Sequence, residues 1–240
     1  MCILITGGCG YIGRHVVHHL SKNNKIIVCG TSSVKFDEQL FDKQSVSFIE
    51  HDFKSNDQLD DKLPDVMLDA VINNAYYGTS GEPLTQPTSD VIESLNGTVG
   101  LYYETIKSCM SRIIDGGSII NIGSMYGVSV PDFDMYANYK SVNPLGYGVG
   151  KAGVNHLTKY LANWLAARNI TVNCINPGAM PSEQAQQDTE LMRNIIDRTP
   201  LRRLGVPDDL LGLIDLLIGP MGSFITGQSI TVDGGFTNRK

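Results

Sequence analysis

Three tyrosines of the 240-residue chain each stand four residues before a lysine. On a helix this spacing places both side chains on one face, and the ammonium group can then stabilise a phenolate and lower a tyrosine pKa that is ordinarily about 10. A tyrosine adjusted in this way can exchange a proton with a carbonyl or hydroxyl oxygen near neutral pH. The three pairs are Tyr103/Lys107, Tyr136/Lys140 and Tyr147/Lys151.

The sequence around the three pairs favours the last one. Tyr147 begins an uninterrupted amphipathic run that continues to Ala167. The middle pair follows Ser124 by twelve residues, but Asn143-Pro144 would interrupt a helix that began there. The first pair precedes every candidate serine, so its tyrosine is expected to pack and its lysine to be solvated. We therefore expect Tyr147 with Lys151 to carry the proton chemistry.

Ser124 ends the run Gly117-Ser118-Ile119-Ile120-Asn121-Ile122-Gly123-Ser124, which has the apolar, β-branched character of a buried strand. Its hydroxyl would emerge at the carboxyl end of that strand, where it could hydrogen-bond a substrate carbonyl and stabilise a developing oxyanion. A nucleophilic role is not expected, because the segment lacks the G-x-S-x-G elbow. Asn96, directly before Gly97, would by itself indicate only an irregularity in a helix.

A glycine-rich segment, Thr6-Gly7-Gly8-Cys9-Gly10-Tyr11-Ile12-Gly13, follows the first apolar run and opens a helical pattern. Glycines let the backbone approach a pyrophosphate, and the helix N-terminus offers free N–H groups; an ordinary strand-to-helix turn is the alternative. Asp52-Phe53 and Asn73-Asn74-Ala75 stand where two further strands would border the ligand crevice of a doubly wound sheet. Each alone could cap a helix or form an Asx turn, but together they predict a dinucleotide site.

The choice between the two nicotinamide dinucleotides depends on the end of the second strand. An acidic residue there would bond the 2′-hydroxyl of NAD and repel the 2′-phosphate of NADP. The sequence has Thr31, Ser32, Ser33 and Lys35 instead, all of which can donate to a phosphate. We therefore expect NADP to be preferred over NAD, with a plain Ser/Thr turn as the alternative.

The composition excludes several classes of partner. With 19 Lys+Arg against 25 Asp+Glu and a formal charge of −6, the chain lacks the basic face of a nucleic-acid-binding protein. Its longest strongly apolar stretch, 210–218, spans about nine residues, whereas a membrane span needs roughly 20. No basic leader precedes the first strand, so a cytoplasmic protein is expected. Five cysteines without a C-x-x-C pair predict reduced thiols, and no metal is expected at His15, His18 and His19.

Short β-branched runs alternate with longer amphipathic segments, which is typical of βαβ units around a parallel sheet. The sequence predicts one α/β domain over 1–240, a doubly wound Rossmann-type fold with about seven parallel strands and helices on both faces. An insert at 128–143 and a loop at 178–199 interrupt this framework and are expected to be functional. The predicted strands are 2–6, 25–30, 46–50, 69–73, 117–123, 170–175 and 229–232, and the predicted helices are 11–22, 90–112, 145–168 and 207–218.

These motifs, with the run from Ile170 to Pro177-Gly178, resemble those of the short-chain dehydrogenase/reductase family over nearly the whole chain. The resemblance implies an NAD(P)-dependent oxidoreductase that moves hydride between the nicotinamide and a carbonyl or alcohol carbon. It implies that Tyr147 exchanges the proton of the substrate oxygen, while Lys151 lowers the tyrosine pKa and contacts the nicotinamide ribose. Ser124 would orient the carbonyl, and Asn96 would hold a proton relay through water to the lysine.

The same resemblance implies the remaining ligands and the assembly. Asp52 would hold the adenine ring, and Asn73-Asn74-Ala75 would support the central strand and the cofactor. A homotetramer or a dimer would form on the helices around 90–112 and 145–168, with the tail 227–236 joining a neighbour. The cofactor-binding residues expected in all are Gly7, Gly10, Tyr11, Ile12, Gly13, Thr31, Ser32, Asp52, Phe53, Asn74, Ala75, Tyr147, Lys151, Pro177 and Gly178.

Two features depart from the usual pattern of the family. Tyr76 stands where a glycine usually follows Asn73-Asn74-Ala75, and the glycine spacing is that of the longer, sugar-nucleotide-modifying branch. An epimerase or dehydratase that keeps its NAD bound through a cycle is therefore an alternative. A non-catalytic dinucleotide sensor is another.

Ser124 and Tyr147 are 23 residues apart, which is about ten more than the family's usual separation, so the extra chain must loop out beside the site. The 128–143 insert is polar and aromatic, which suits a polar ligand that is sugar-like or a sugar nucleotide. The stretch 124–133, followed by Asn143-Pro144, also resembles a subgroup associated with bacterial flagellin-modification and surface-carbohydrate pathways. A surface excursion or a subunit contact is the alternative.

Overall fold

A computed structural model describes residues 1–31, 44–55, 57–136 and 142–238. These residues form seven strands: β1 (Cys2–Thr6), β2 (Lys25–Gly30), β3 (Val46–Glu50), β4 (Leu68–Asn73), β5 (Ile113–Ile122), β6 (Thr171–Pro177) and β7 (Ser229–Val232). All seven lie in one sheet of order β3-β2-β1-β4-β5-β6-β7, and every neighbouring pair is parallel. This confirms the doubly wound α/β fold predicted from the sequence.

The described residues contain six α-helices: α1 (Tyr11–Leu20), α2 (Thr88–Leu95), α3 (Leu101–Cys109), α4 (Leu145–Leu165), α5 (Thr189–Arg198) and α6 (Leu211–Ile218). The predicted helix 90–112 is divided, because a π-helical turn over Asn96–Gly100 separates α2 from α3. The predicted helix 207–218 begins with a 3₁₀ turn over Pro207–Leu210. The helix α5 lies within the 178–199 loop.

Alternate residues of β1 pack against different helices, which shows that both faces of the sheet are covered. Ile3 and Ile5 lie in a core cluster with Val16 of α1, whereas Leu4 lies in a second cluster with Ile106 of α3. Neighbouring side chains of a strand point to opposite faces. The strand therefore has no solvent side, as its unbroken apolar sequence indicates.

Two local differences from the sequence-based boundaries have tertiary causes. A Cβ atom on Gly97 would lie 1.8 Å from the carbonyl oxygen of Tyr77. The π-helical turn therefore lies where the helix backbone packs directly against the backbone of Tyr77. The strand β5 begins at Ile113 because its register with β4 shifts between Leu68 and Ala70. Such a bulge adds residues to one strand and lengthens the paired segment.

The carboxyl ends of β1 and β4 lie side by side, with Thr6 in register with Asn73. The strand order changes direction at this point, and ligands of open α/β sheets bind in the crevice formed there. In the described part of the chain, no helix combines the length and apolar character that crossing a bilayer requires.

Candidate active site

The glycine-rich segment forms a tight turn between β1 and α1. Gly7 has a φ of 65°, and a Cβ atom there would lie 2.7 Å from the Cα of Ala75. A Cβ atom on Gly13 would lie 2.2 Å from the carbonyl oxygen of Gly7. Gly10 is the N-cap of α1, and no side chain of the described residues caps it. No side-chain cap of the described residues therefore occupies the backbone N–H groups at the start of α1, which fits a pyrophosphate.

The segment that follows β4 holds this turn in place. The Thr6 hydroxyl oxygen accepts hydrogen bonds from the backbone N–H groups of Asn74 and Ala75, at 3.1 and 3.2 Å. The side-chain amide of Asn74 donates to the carbonyl oxygen of Gly7 at 3.0 Å. Asn73 donates instead to Asn121 of β5 at 2.9 Å, inside the core. Asn73 thus supports the sheet, whereas Asn74 and Ala75 hold the glycine turn in place.

Ligand pockets usually have volumes of about 300–1,000 Å³, and a cavity of ≈ 620 Å³ opens above the turn. Thr31 and Phe53 line it, but Asp52 does not. The carboxylate of Asp52 accepts the N–H of Lys54 at 2.9 Å in an Asx turn. Ser32 lies outside the described residues. The predicted cofactor residues that line this cavity are Gly7, Gly10, Tyr11, Ile12, Thr31, Phe53, Asn74 and Ala75.

His51 is a cavity residue that the sequence reasoning missed. It is buried at the end of β3 and stacks edge-on against Phe53, with ring centroids 4.6 Å apart. Burial lowers the pKa of its imidazole, and Lys62 lowers it further, so the ring is neutral at pH 7. Its position directly before Asp52, at the end of a predicted strand, was the available signal.

A second cavity of ≈ 420 Å³ adjoins the first, and Ile12, Asn74, Tyr76 and Met180 line both. Ser124, Tyr147 and Lys151 lie together in its wall, as do Pro177 and Gly178. The structure therefore brings three of the four predicted catalytic residues to one place, beside the dinucleotide cavity.

Tyr147 and Ser124 line the same cavity. Burial raises the pKa of Tyr147, and the hydrogen bond from Ser124 opposes that rise. The backbone N–H of Tyr126 donates to the Ser124 hydroxyl oxygen at 3.1 Å, which leaves the serine proton for the tyrosine. The Tyr147 ring meets the ring of Tyr76 edge-on, at 5.0 Å between centroids and 83° between planes.

Lys151 lies one helical turn beyond Tyr147 and is only 3% exposed. Its Nζ donates to the carbonyl oxygen of Ile122 at 2.6 Å and to the hydroxyl of Tyr102 at 2.9 Å, and it lies 5.8 Å from the centroid of the Tyr147 ring. Burial lowers the lysine pKa to about 8. The amine is thus poised to change charge close to neutral pH.

Two asparagines hold the backbone of Ser124 in place. The backbone N–H of Ser124 donates to Asn176 Oδ1 at 3.0 Å, and the Asn176 amide donates to Asn155 Oδ1 at 3.0 Å. Asn155 in turn donates to the carbonyl oxygen of Gly127 at 3.1 Å. The sequence reasoning named neither asparagine, although Asn176 directly precedes the Pro177-Gly178 motif.

Asn96 lies elsewhere. Its side chain is exposed at the start of the π-helical turn, and it lines a surface groove with Phe53 and Tyr77 rather than the cavity of Tyr147. Its carbonyl oxygen accepts the backbone N–H of Leu101 within the turn. The Tyr102 hydroxyl, rather than the Asn96 side chain, is hydrogen-bonded to Lys151.

The insert contributes to the second cavity from the opposite side. Tyr136 and Asn143 line it, and the Tyr136 hydroxyl is hydrogen-bonded to the Tyr126 hydroxyl at 2.8 Å. Lys140, the partner of Tyr136 in the sequence pattern, lies outside the described residues.

The remaining candidates of the sequence lie away from both cavities. Tyr103 is 52% exposed, and its partner Lys107 forms an ion pair with Glu104 at 3.8 Å. His15 and His19 each pair with a separate aspartate on the segment that leads into and through α6. Within the described residues, no group of three His, Cys, Asp or Glu side chains could hold a metal ion.

The chain matches known proteins over most of its length. A family model described as enoyl-(acyl carrier protein) reductase matches residues 12–237. A tropinone reductase homolog of Arabidopsis thaliana is 31% identical over 252 residues, which cover 98% of this chain and 91% of that protein. A 2-dehydro-3-deoxy-D-gluconate 5-dehydrogenase of Escherichia coli is 31% identical over 182 residues, which cover 72% of this chain and 66% of that protein.

A solved short-chain dehydrogenase of Leptospira borgpetersenii with bound NAD⁺ is 30% identical, with a TM-score of 0.82, over 98% of this chain and 92% of that one. The named activities of these relatives are reductions and dehydrogenations, and they differ in substrate. The chain is therefore an oxidoreductase that uses a nicotinamide dinucleotide, and it belongs to the short-chain dehydrogenase/reductase family.

Proposed function

We propose that the protein transfers hydride between NADP and a carbonyl or alcohol carbon of a polar, uncharged, sugar-like substrate, with Tyr147 as the proton donor or acceptor. One observation carries this proposal. The side chains of Ser124, Tyr147 and Lys151 line one cavity, and that cavity shares part of its wall with the dinucleotide cavity.

The two hydroxyl groups can bind a carbonyl oxygen together. Ser124 would donate a hydrogen bond to that oxygen, and Tyr147 would donate a hydrogen bond and then its proton as the oxygen gains charge. A bound nicotinamide dinucleotide would supply or accept the hydride. The charge of Lys151 stabilises the phenolate that remains on Tyr147. In the oxidation direction, Tyr147 takes the proton of the alcohol.

The lining of the second cavity supports a polar and uncharged substrate. Its lining includes Tyr76, Tyr126 and Tyr136, together with Asn74 and Asn143. Lys151 is the one charged side chain that lines it among the described residues. Aromatic faces with hydroxyl and amide groups at their edges suit a ring that carries several hydroxyls. Apart from Lys151, a charged ligand would find no ion partner among the described residues of this lining.

The contacts of the insert support a role in substrate recognition. Met135 is buried against Met192 and Ile195 of α5, and its carbonyl oxygen accepts the side-chain amide of Asn194 at 3.0 Å. The insert and α5 therefore form one wall of the substrate cavity. The narrower resemblance to flagellin-modification enzymes stays a prediction.

The end of β2 supports a preference for NADP over NAD. Thr31 lines the dinucleotide cavity beside Gly30, and no carboxylate stands between Cys29 and Lys35 in the sequence. A 2′-phosphate would meet donors there rather than a like charge.

The exposed surface supports assembly with further copies of the chain. Val149, Tyr160 and Trp164 of α4 are exposed, as is Tyr103 of α3, and Trp164 is 72% exposed. A second copy packed on these helices would remove this apolar surface from water. Light scattering of the wild type should give a dimer or tetramer, and Trp164→Glu should lower the mass; a wild-type monomer would refute this part.

A panel of ketones, keto sugars and acyl thioesters, assayed with each nicotinamide dinucleotide, tests the proposed reaction. We expect net consumption of NADPH with a keto sugar or a similar polar ketone. Tyr147→Phe should lower turnover by roughly 10²–10⁴-fold, whereas Tyr103→Phe should leave it unchanged. Tyr136→Phe should alter KM and leave the chemical step near normal. Turnover that survives Tyr147→Phe but not Tyr136→Phe would show that the wrong tyrosine was chosen.

A further inference from the structure

The hydroxyl of Tyr102 lies at the centre of a closed set of hydrogen bonds around Lys151. It accepts a hydrogen bond from Lys151 Nζ at 2.9 Å and donates to the carbonyl oxygen of Ile122 at 2.8 Å. Lys151 Nζ donates to that same carbonyl oxygen at 2.6 Å. Tyr102 is fully buried, so water does not compete for any of these bonds.

This arrangement uses two of the three N–H groups of the ammonium. The third remains for the cavity side, where Lys151 approaches the ring of Tyr147. An ammonium group on a four-carbon stem is otherwise free to rotate. Two fixed acceptors on one side therefore set the direction of the remaining donor.

Tyr102 also supports the positive charge of the lysine. Its hydroxyl oxygen accepts a hydrogen bond from Lys151 Nζ at 2.9 Å, and a hydrogen bond to the charged form of an amine favours that form. The titratable side chains that act on Lys151 are Tyr102 of α3, Tyr147 of α4 and Cys174 of β6. Burial raises the pKa of the Cys174 thiol to about 12, so this thiol is neutral at pH 7.

We infer that Tyr102 is a positioning residue that fixes the ammonium group of Lys151 and supports its charge from outside the cavity. This inference rests on the proposed role of Lys151. The resemblance implies a relay from Asn96 to this lysine through water, whereas Tyr102 contacts the lysine directly and Asn96 is exposed. It also means that Lys151 cannot exchange protons through Tyr102. The Tyr102 hydroxyl donates to the carbonyl oxygen of Ile122, and a carbonyl oxygen cannot pass a proton on.

The pKa of Lys151 in the full-length protein is the direct readout, and it needs no substrate. With ¹³C-labelled lysine, the Cε–Hε signal of Lys151 is identified by its loss in Lys151→Arg and followed through a pH titration. Tyr102→Phe removes an acceptor that favours the charged amine, so its midpoint should fall by about one pH unit, a tenfold change in proton affinity. Tyr103→Phe, the adjacent exposed tyrosine, should leave the midpoint unchanged. An unchanged or raised midpoint in Tyr102→Phe overturns the inference.

A second variant covers the case in which Tyr102→Phe does not fold. Replacing Tyr102 by 4-aminophenylalanine keeps the size of the side chain and a donor toward Ile122, but its aromatic amine is a poor acceptor for Lys151. The Lys151 midpoint should again fall, and a wild-type midpoint would overturn the inference. Turnover that persists in Tyr147→Phe would instead refute the proposed function, whatever the lysine titration shows.

Discussion

Replacing Gly150 by alanine should destabilise the protein, although alanine is the better helix former. Gly150 lies within α4 and is buried against the π-helical turn. A Cβ atom there would lie 1.8 Å from Thr98 Oγ1 and 2.8 Å from Thr98 Cβ. The threonine hydroxyl donates to the carbonyl oxygens of Ser94 and Leu95 at 2.8 and 3.1 Å. The hydroxyl cannot rotate away from an added methyl group without losing these bonds, and Thr98 is fully buried, so water cannot replace them.

The magnitude follows from two opposing effects. Alanine in place of glycine inside a helix contributes about 1 kcal/mol of stability, while an extra methyl group in a packed interior costs about 1–3 kcal/mol and sometimes more. Because the contact in Gly150→Ala is far inside van der Waals distance, we expect a net loss of about 2 kcal/mol. For a chain of this length, the thermal midpoint should fall by about 4–8 °C.

Gly212 provides the matched control. It lies in α6, and a Cβ atom there would meet nothing within 4 Å. Gly212→Ala should therefore raise the free energy of unfolding by about 0.5–1 kcal/mol. Thr98→Ala added to Gly150→Ala should recover part of the loss, because the closest atom is then gone. If Gly150→Ala stabilises the protein as Gly212→Ala does, then α4 and the π-helical turn do not approach each other as closely as described here.

Three further predictions address the cofactor, the buried amine and the insert. Thr31→Asp should weaken NADP binding by about tenfold through like-charge repulsion and spare NAD in calorimetric titrations; tight NAD and negligible NADP binding by the wild type would refute the NADP preference. The pKa of Lys151 is about 8 in the folded protein, against an ordinary value of 10.5. Burying the charged amine therefore lowers the free energy of unfolding at and below pH 8, and this loss disappears as the pH rises to 10.5. The stability of the wild type relative to Lys151→Met should thus rise by about 3 kcal/mol over that range in urea unfolding, and a flat difference would contradict it. Replacing 129–143 by a short Gly/Ser link should keep dinucleotide binding and raise KM at least about tenfold; unchanged kinetics would remove the main support for a recognition role.

Much of the fold could be predicted because its signals are local. The central strands, such as β1 and β4, are apolar runs that are buried on both faces, and such runs stand out in the sequence. The meeting of Ser124 with Tyr147 and Lys151 followed from strand ends and a helical spacing, which are also local. The glycine turn could also be predicted, because a turn with such close backbone contacts requires glycines and the glycines are visible in the sequence.

The parts that could not be predicted depend on contacts between distant segments. The π-helical turn depends on Gly97 meeting Tyr77, and an amphipathic pattern continues through such a turn unchanged. The contact of Tyr102 with Lys151 joins residues 49 positions apart, and Tyr102 and Tyr103 are indistinguishable by residue type. Asp52 was expected at a ligand, but its carboxylate bonds to the nearby N–H of Lys54.

The two walls of the substrate cavity differ in how readily sequence change can alter them. On the side of α4, Gly146 and Gly150 bring the catalytic helix so close to Ser94 and Thr98 that a Cβ atom at either glycine would collide. On the other side, the insert and α5 meet through long side chains, with Met135 buried there. Substitutions can exchange such side chains and reshape that wall while Tyr147 stays where it is. A new substrate preference could therefore evolve in the insert and α5 without risk to the proton-transfer machinery.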